Sequence, residues 1–378
     1  MNFPELSRTL FNTDYDQHDL QGYTENLYIA HPEDNDVRFS GASGGMVTGL
    51  LLYLLEKKEI DGALVVDYDS DQPYLTKGIL ATTPDDIKQA AQSKYCVTPS
   101  MEVLRELRKK KGKYAVVALP CQIHGLRKLQ QTDPGLGKKI GYIFGLYCNC
   151  TLKTNGHLEA IKACNIKLKD VARFGFRGAG WPGGFVVDKK DGSHIPLHTI
   201  NIKNVMNVMF RLFGAERCYL CVDALAEYAD LSFGDFWAFD YSGELAKLER
   251  CTLISQRTEA GEKVMRQAAA DGAITLHTLP KEFMSQRILK MAQGKKGRNR
   301  VRFLRMQSKR KPVPEYHVSM DEPTSRAKRS EFLYRCWFLF RGKMGRTFIL
   351  KILFSPLGDV LDMVNEKRKK LFGGYSSN

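Results

Sequence analysis

Strands alternating with helices between residues 28 and 150 predict an α/β protein, a mixed sheet covered by helices on both faces. Two further observations complete the class. After Cys150 the texture changes to short strand-like pieces around the glycine-rich turn Arg177–Gly184. The final segment sets Trp337, Phe338, Phe340, Phe348 and Phe354 among Lys and Arg, which predicts a basic, mainly helical C-terminal extension.

In chain order, residues 1–25 read as an irregular lead-in, and Leu27–Ala30 is the first strand. The small residues Ser40-Gly41-Ala42-Ser43-Gly44-Gly45 open an apolar-rich helix that runs to Lys57. Gly62–Asp67 (GALVVD) is a buried-strand run, and Tyr74–Leu80 pairs beside it. Pro84–Ser93 and Ser100–Lys110 carry apolar residues at helical spacing. Tyr114–Leu119 is a strand running into Pro120-Cys121, with a helix over Gln122–Leu129; Ile140–Tyr147 runs into Cys148. Val171–Phe176, Phe185–Asp188, Leu231–Phe239 and Thr252–Ser255 are strands, while Val205–Phe213 and Ala260–Ala270 are helices. The pattern divides the chain into a lead-in (1–25), a core domain (26–285), a basic connector with Pro312 and Pro314 (286–330) and the extension (331–378). The extension is too apolar for disorder. It packs on its own domain or a second copy, or it makes a peripheral membrane or protein contact.

Apolar residues at 43 % and charged residues at 26 % suit a soluble globular chain rather than a fibrous or disordered one. The N-terminal stretch MNFPELSRTLFNTDYDQ is polar and mixed, so no secretory signal is expected. No apolar run of roughly 18 residues predicts a membrane span. The expected compartment is the cytoplasm, where the nine cysteines would stay reduced and serve as ligands and core fillers. The net charge of +15 is concentrated: Arg287–Lys311 holds eleven Lys and Arg and no acid. That stretch is a solvated face or a docking surface for an acidic protein such as ferredoxin. Without a nucleic-acid motif or interleaved aromatics, nucleic acid is not an expected partner.

Four cysteines carry the chemistry. Cys121 and Cys148 each follow a strand, and Cys218 and Cys221 form a CxxC after a helix. Thiolates from three distant segments, gathered at one sheet edge, suit an iron–sulfur cluster or a structural zinc. Cys150 lies on the same face as Cys148 in an extended chain, so either can be the ligand. Cys96, Cys164, Cys251 and Cys336 sit singly, as buried small apolar residues do. The Ser40–Gly45 segment, with Ser40, Ser43, Gly44 and Gly45, is a helix start suited to an anion. Taken alone, a helix cap with tight packing is the better reading. Lys94 can reach a phosphate or a flavin carbonyl, or stand on the surface. Arg177 and Trp181 lie in a loop able to approach a flat ligand. Asp235, flanked by aromatics in FGDFW, can accept a hydrogen bond at a cofactor's edge. His124 reads as a helix residue, and nothing identifies a catalytic acid, base or nucleophile.

Seven pieces in order, SGASGGMVTGLL, SKYCVTPS, ALPCQIHGLRKL, IFGLYCNC, FRGAGWPGGF, CYLCVDALAEYADLSFGDFW and ISQRTEAGE, resemble the coenzyme F420 hydrogenase/dehydrogenase β-subunit family over residues 26–285. The resemblance implies one [4Fe–4S] cluster on Cys121, Cys148, Cys218 and Cys221 beside a non-covalent FAD. It places the diphosphate at Ser43-Gly44-Gly45 and a further flavin contact at Lys94. It implies a flavin and iron–sulfur oxidoreductase with the deazaflavin coenzyme F420 or ferredoxin as redox partner and a small organic substrate. Two features depart from the family: residues 1–95 contain no cysteine, and the C-terminal extension has no counterpart. The alternative is a zinc-stabilised scaffold or binding subunit with a docking tail.

Overall fold

A computed structural model describes residues 2–178, 180–238, 241–318 and 322–372. Eleven strands form two sheets among the described residues. They are β1 (Asn26–Pro32), β2 (Gly62–Tyr68), β3 (Thr76–Ala81), β4 (Tyr114–Ala118), β5 (Ile140–Leu146), β6 (Val171–Gly178), β7 (Gly184–Lys189), β8 (His194–Pro196), β9 (Leu231–Asp235), β10 (Thr252–Gln256) and β11 (Ile274–Leu279). The large sheet has the order β11-β1-β10-β9-β5-β4-β2-β3, and the small one β6-β7-β8. Strands β2, β4, β5 and β9 are parallel neighbours; every other pairing is antiparallel.

The central strands are apolar throughout because helices cover both of their faces. Side chains alternate between two cores. Val65, Ala115, Tyr142 and Phe144 face one core, against the helices Met46–Glu56 and Glu259–Ala270. Leu64, Val116 and Ile143 face the other, against Phe3–Phe11 and Pro120–Thr132. The small sheet has its own core, where Phe174, Phe176 and Phe185 meet edge to face with ring centroids 4.8–5.5 Å apart. Leu350 and Leu353 of the extension enter this core. Arg346 also pairs with Glu159 at 2.9 Å. The extension therefore packs on its own chain.

Several expectations change. The lead-in begins with the helix Phe3–Phe11, capped by the Asn2 side chain and anchored by Phe3, which packs on His124, Tyr228 and Tyr316. Much of the connector forms a single helix, Gln286–Ser308. Its buried residues are Ile288, Ala292, Lys295, Asn299, Arg302 and Phe303, a helical stripe half written in polar residues. Hydrophobic spacing alone cannot reveal it. Part of the basic stretch is not free for docking: Lys295 and Arg302 are buried, and Lys296 pairs with Glu227 at 2.7 Å. The sequence reading also missed β11 and the helix Asn155–Ala163. The strand expected over Leu231–Phe239 stops at Asp235, and Phe239 lies outside the described residues, as do the last six residues of the extension. No described helix is long and apolar enough to cross a membrane.

Candidate functional site

Parallel neighbours leave the sheet at the same edge, and the loops there are where open α/β sheets hold ligands. Cys121 sits in the first turn of the helix that follows β4, just after Pro120. Cys148 lies two residues beyond β5. Cys218 and Cys221 belong to the short turn of helix Glu216–Leu220 and its end. Asp235 ends β9, the neighbour of β5 on its other side. Three adjacent strands thus deliver Asp235, Cys148 and Cys121 to one edge.

The main chain around the cysteines is tied to the helix Gln286–Ser308. The Lys295 ammonium donates to the carbonyls of Cys148 and Asp223, both at 2.7 Å. The Asn299 amide donates to the carbonyls of Cys218 (3.0 Å) and Cys221 (2.6 Å). The backbone N–H of Cys148 donates to Ala224 O at 2.8 Å. Asp223 is fully enclosed and meets His124 at 3.0 Å, one helical turn beyond Cys121.

The thiols are electrostatic neighbours. Loss of water pushes Cys148 up to about 12, and the charges of Cys218, Cys221 and Cys121 add to that. Cys121 reaches the surface on one side, yet the protein around its sulfur still pushes it up to about 11, helped by Cys221 and Cys218. Cys218 goes the other way, to about 6, because the Cys150 thiol donates to its thiolate; Lys295 contributes to the same shift. Burial opposes the Lys295 ammonium, but charges at Cys221, Cys148 and Asp223 outweigh it and its pKa is raised. Four thiols around one buried cation form a donor set that suits a thiolate-held cluster. Among the described residues no three His, Cys, Asp or Glu side chains converge as ligands of a single metal ion. Cys150 is buried in the core beneath the small sheet and serves Cys218 as a donor.

The second group centres on Arg177, itself buried. It donates to Pro182 O (2.6 Å), to the Tyr95 hydroxyl (3.0 Å) and to Ala42 O (3.0 Å), and it pairs with Asp235 at 3.5 Å. Burial opposes its charge, while Tyr95 and Asp235 hold its pKa above the ordinary value. Arg177 therefore joins four pieces of the sequence: the glycine loop, the segment around Lys94, the FRGAGWPGG turn and FGDFW. Gly44 and Gly45 both adopt left-handed backbone, with φ of +71° and +70°. A Cβ on either would overlap the backbone of Arg250 or Val37. Packing within the chain thus already requires these glycines. No side chain caps the helix they open, so its first amide groups remain available to an anion.

The other predicted contacts are already engaged. The Ser40 hydroxyl donates to Val37 O and that of Ser43 to Gly234 O. The Lys94 ammonium donates to Ala90 O and Ala91 O, at the end of the helix Pro84–Gln89, and burial lowers its pKa to about 8. Around Arg177 the structure adds groups that sequence reasoning missed. Arg250 lies over the Trp181 ring at 5.2 Å, and Trp237 packs on Trp181 with centroids 5.5 Å apart. Lys295 and Asn299 were missed as well; their spacing of four on one helix face was the available signal.

The profile described as coenzyme F420 hydrogenase/dehydrogenase, beta subunit N-term matches residues 27–105, and the corresponding C-terminus profile matches residues 111–282. The chain belongs to this family. It is 31 % identical over 257 residues to a coenzyme F420-dependent sulfite reductase of Methanocaldococcus jannaschii, covering 64 % of this chain and 37 % of that protein. It is 27 % identical over 261 residues to a coenzyme F420 hydrogenase subunit beta of Methanothermobacter thermautotrophicus, covering 66 % and 83 %. A chain of the F420-reducing [NiFe] hydrogenase complex from Methanosarcina barkeri shares the fold, with a TM-score of 0.61 at 22 % identity over 79 % of this chain and 99 % of that one. As a member of the family the chain has an oxidoreductase role. The helix carrying Lys295 and Asn299 lies past the residues that the two profiles match.

Proposed function

We propose that this protein is an iron–sulfur flavoprotein that moves electrons between a [4Fe–4S] cluster and FAD, serving a small organic substrate, with coenzyme F420 or ferredoxin as redox partner. One observation carries the reading: β9, β5 and β4 bring Asp235, Cys148 and Cys121 side by side to one sheet edge. Neighbouring strands lie about 4.8 Å apart, so the two groups stand a few strand spacings apart. Cys121, Cys148, Cys218 and Cys221 would hold the cluster. Arg177, Asp235, Trp181 and the amide groups after Gly45 would hold the flavin. When bound, a cluster passes single electrons and a flavin takes up two and delivers a hydride equivalent.

The chain's own residues do the positioning. Lys295 supplies a positive charge beside the thiolates and fixes two loop carbonyls. Arg177 locks the glycine loop to the end of β9. Asp235 has a side chain 28 % exposed, so it is reachable from solvent while paired. Ligands that must stay reduced thiolates favour the cytoplasm as the compartment. Anaerobic purification tests the reading: a yellow-brown protein with about four iron and four sulfide per chain is expected. Cys121→Ser and Cys218→Ser should each lose the iron. Stoichiometric zinc without iron would instead make the chain a zinc-held scaffold.

A further inference from the structure

Where the extension meets the core, a cavity of about 210 Å³ is lined by Asn149, Asn207, Arg211, Arg298, Tyr334 and Trp337. Arg211 comes from the helix Ile202–Phe213, Arg298 from Gln286–Ser308, and Tyr334 from Ser325–Cys336. The guanidinium of Arg211 lies 5.2 Å from the Trp337 ring and 5.7 Å from Tyr334, and that of Arg298 lies 5.6 Å from Tyr334. Neither guanidinium has a carboxylate partner among the described residues. Glu331, whose charge reaches Arg298, is already paired with Arg302 at 2.6 Å and Arg305 at 3.4 Å. The Asn149 and Asn207 amides likewise have no hydrogen bond among the described residues.

Two half-buried cations in one cavity, with no anion between them, are an unfavourable arrangement. Burial lowers the pKa of both, and the charges of Arg302 and Arg211 add to the effect at Arg298. Stacking on a ring uses the face of a guanidinium and leaves its edge donors free. Those edges match an oxyanion in forked geometry. The wall beside them is apolar, with Phe210, Leu333 and the two stacked rings.

We propose that this cavity binds a small organic carboxylate. Arg211 and Arg298 take the carboxylate, Asn149 and Asn207 its further polar groups, and Trp337 and Tyr334 its apolar body. Asn149 separates Cys148 from Cys150, so the ligand would lie beside the cysteine loop. Residues 298, 334 and 337 fall outside the residues that the family profiles match.

The test uses the full chain and the fluorescence of Trp337, with Trp337→Phe to show that this residue carries the signal. Cyclohexanecarboxylate is the probe, with inorganic phosphate and chloride as comparison anions. Cyclohexanecarboxylate should give a saturable change that weakens with salt, and it should raise the thermal midpoint. Arg298→Gln and Arg211→Gln should weaken it about tenfold or more, the scale of one lost charge-assisted hydrogen bond. Asn207→Leu should also weaken it; Asn207 lies outside the ring stacks, so this variant keeps the test valid if an arginine variant releases the extension. Absence of a saturable response, unchanged affinity in both Arg298→Gln and Asn207→Leu, or tighter binding of phosphate would each overturn the assignment. Binding is read without reference to iron or flavin, so its failure is separable from failure of the redox reading.

Discussion

The cysteine group and the Arg177 group stand on the same sheet edge, and each is organised by one buried cation. They differ in what that cation holds. Lys295 donates to two backbone carbonyls and faces thiols whose charge it offsets. Arg177 is already balanced by Asp235 and Tyr95 and acts as a tie among loops. The first cation thus sets a buried charge beside the thiols, whereas the second acts as a brace among loops. Removing the cation should therefore affect the two sites differently.

The largest effect is expected at Lys295. Lys295→Met leaves two carbonyls without their donor and buried negative charge without a counter-charge. A loss of about 3–5 kcal/mol is expected for a broken buried pair. Both the thermal midpoint and the iron content should fall; a variant with normal iron would show that the ammonium is not what holds the cysteine loops together. Arg177→Met comes next, at about 2–4 kcal/mol for a buried charge-assisted network. Its signature should be selective, with flavin lost and iron retained. Loss of both cofactors would join the two groups into one cooperative unit.

Gly44→Ala sharpens the comparison on the flavin side. Left-handed backbone costs a residue with a Cβ about 1–2 kcal/mol, and the methyl group also meets the Arg250 backbone. A lowered thermal midpoint is therefore expected together with weaker flavin retention. Lower flavin at an unchanged midpoint would show a backbone more forgiving than the one described. Cys150→Ser is the smallest change. Iron should stay at the wild-type level, since a hydroxyl can still donate to Cys218, while Cys148→Ser should lose it. The reverse pattern would exchange the two residues as ligands.

The central sheet was legible because runs such as GALVVD and YAVVA are buried on both faces and so are apolar at nearly every position. The neighbourhood of the cysteines was legible for a related reason: Cys121 and Cys148 follow adjacent parallel strands, which end at one sheet edge. The lead-in helix was in fact written in the sequence, with Phe3, Leu6, Leu10 and Phe11 at helical spacing, but it spans only nine residues and was passed over. Lys94 could be named as a candidate contact but not aimed, because a lysine's direction depends on which carbonyls lie within its reach.

The sequence by itself determined the α/β class, the order of the central strands' runs and the placement of Cys121 and Cys148 just past strands. These follow from local properties: apolar period, β-branching and the residues that end each run. Only the tertiary structure decided that Lys295, Asn299 and Arg302 turn inward. Their helix buries a stripe in which a charge becomes acceptable only because thiols, carbonyls or a carboxylate from distant segments face it. Burial of a charge depends on its partners, and the partners are set by the fold rather than by the neighbouring residues.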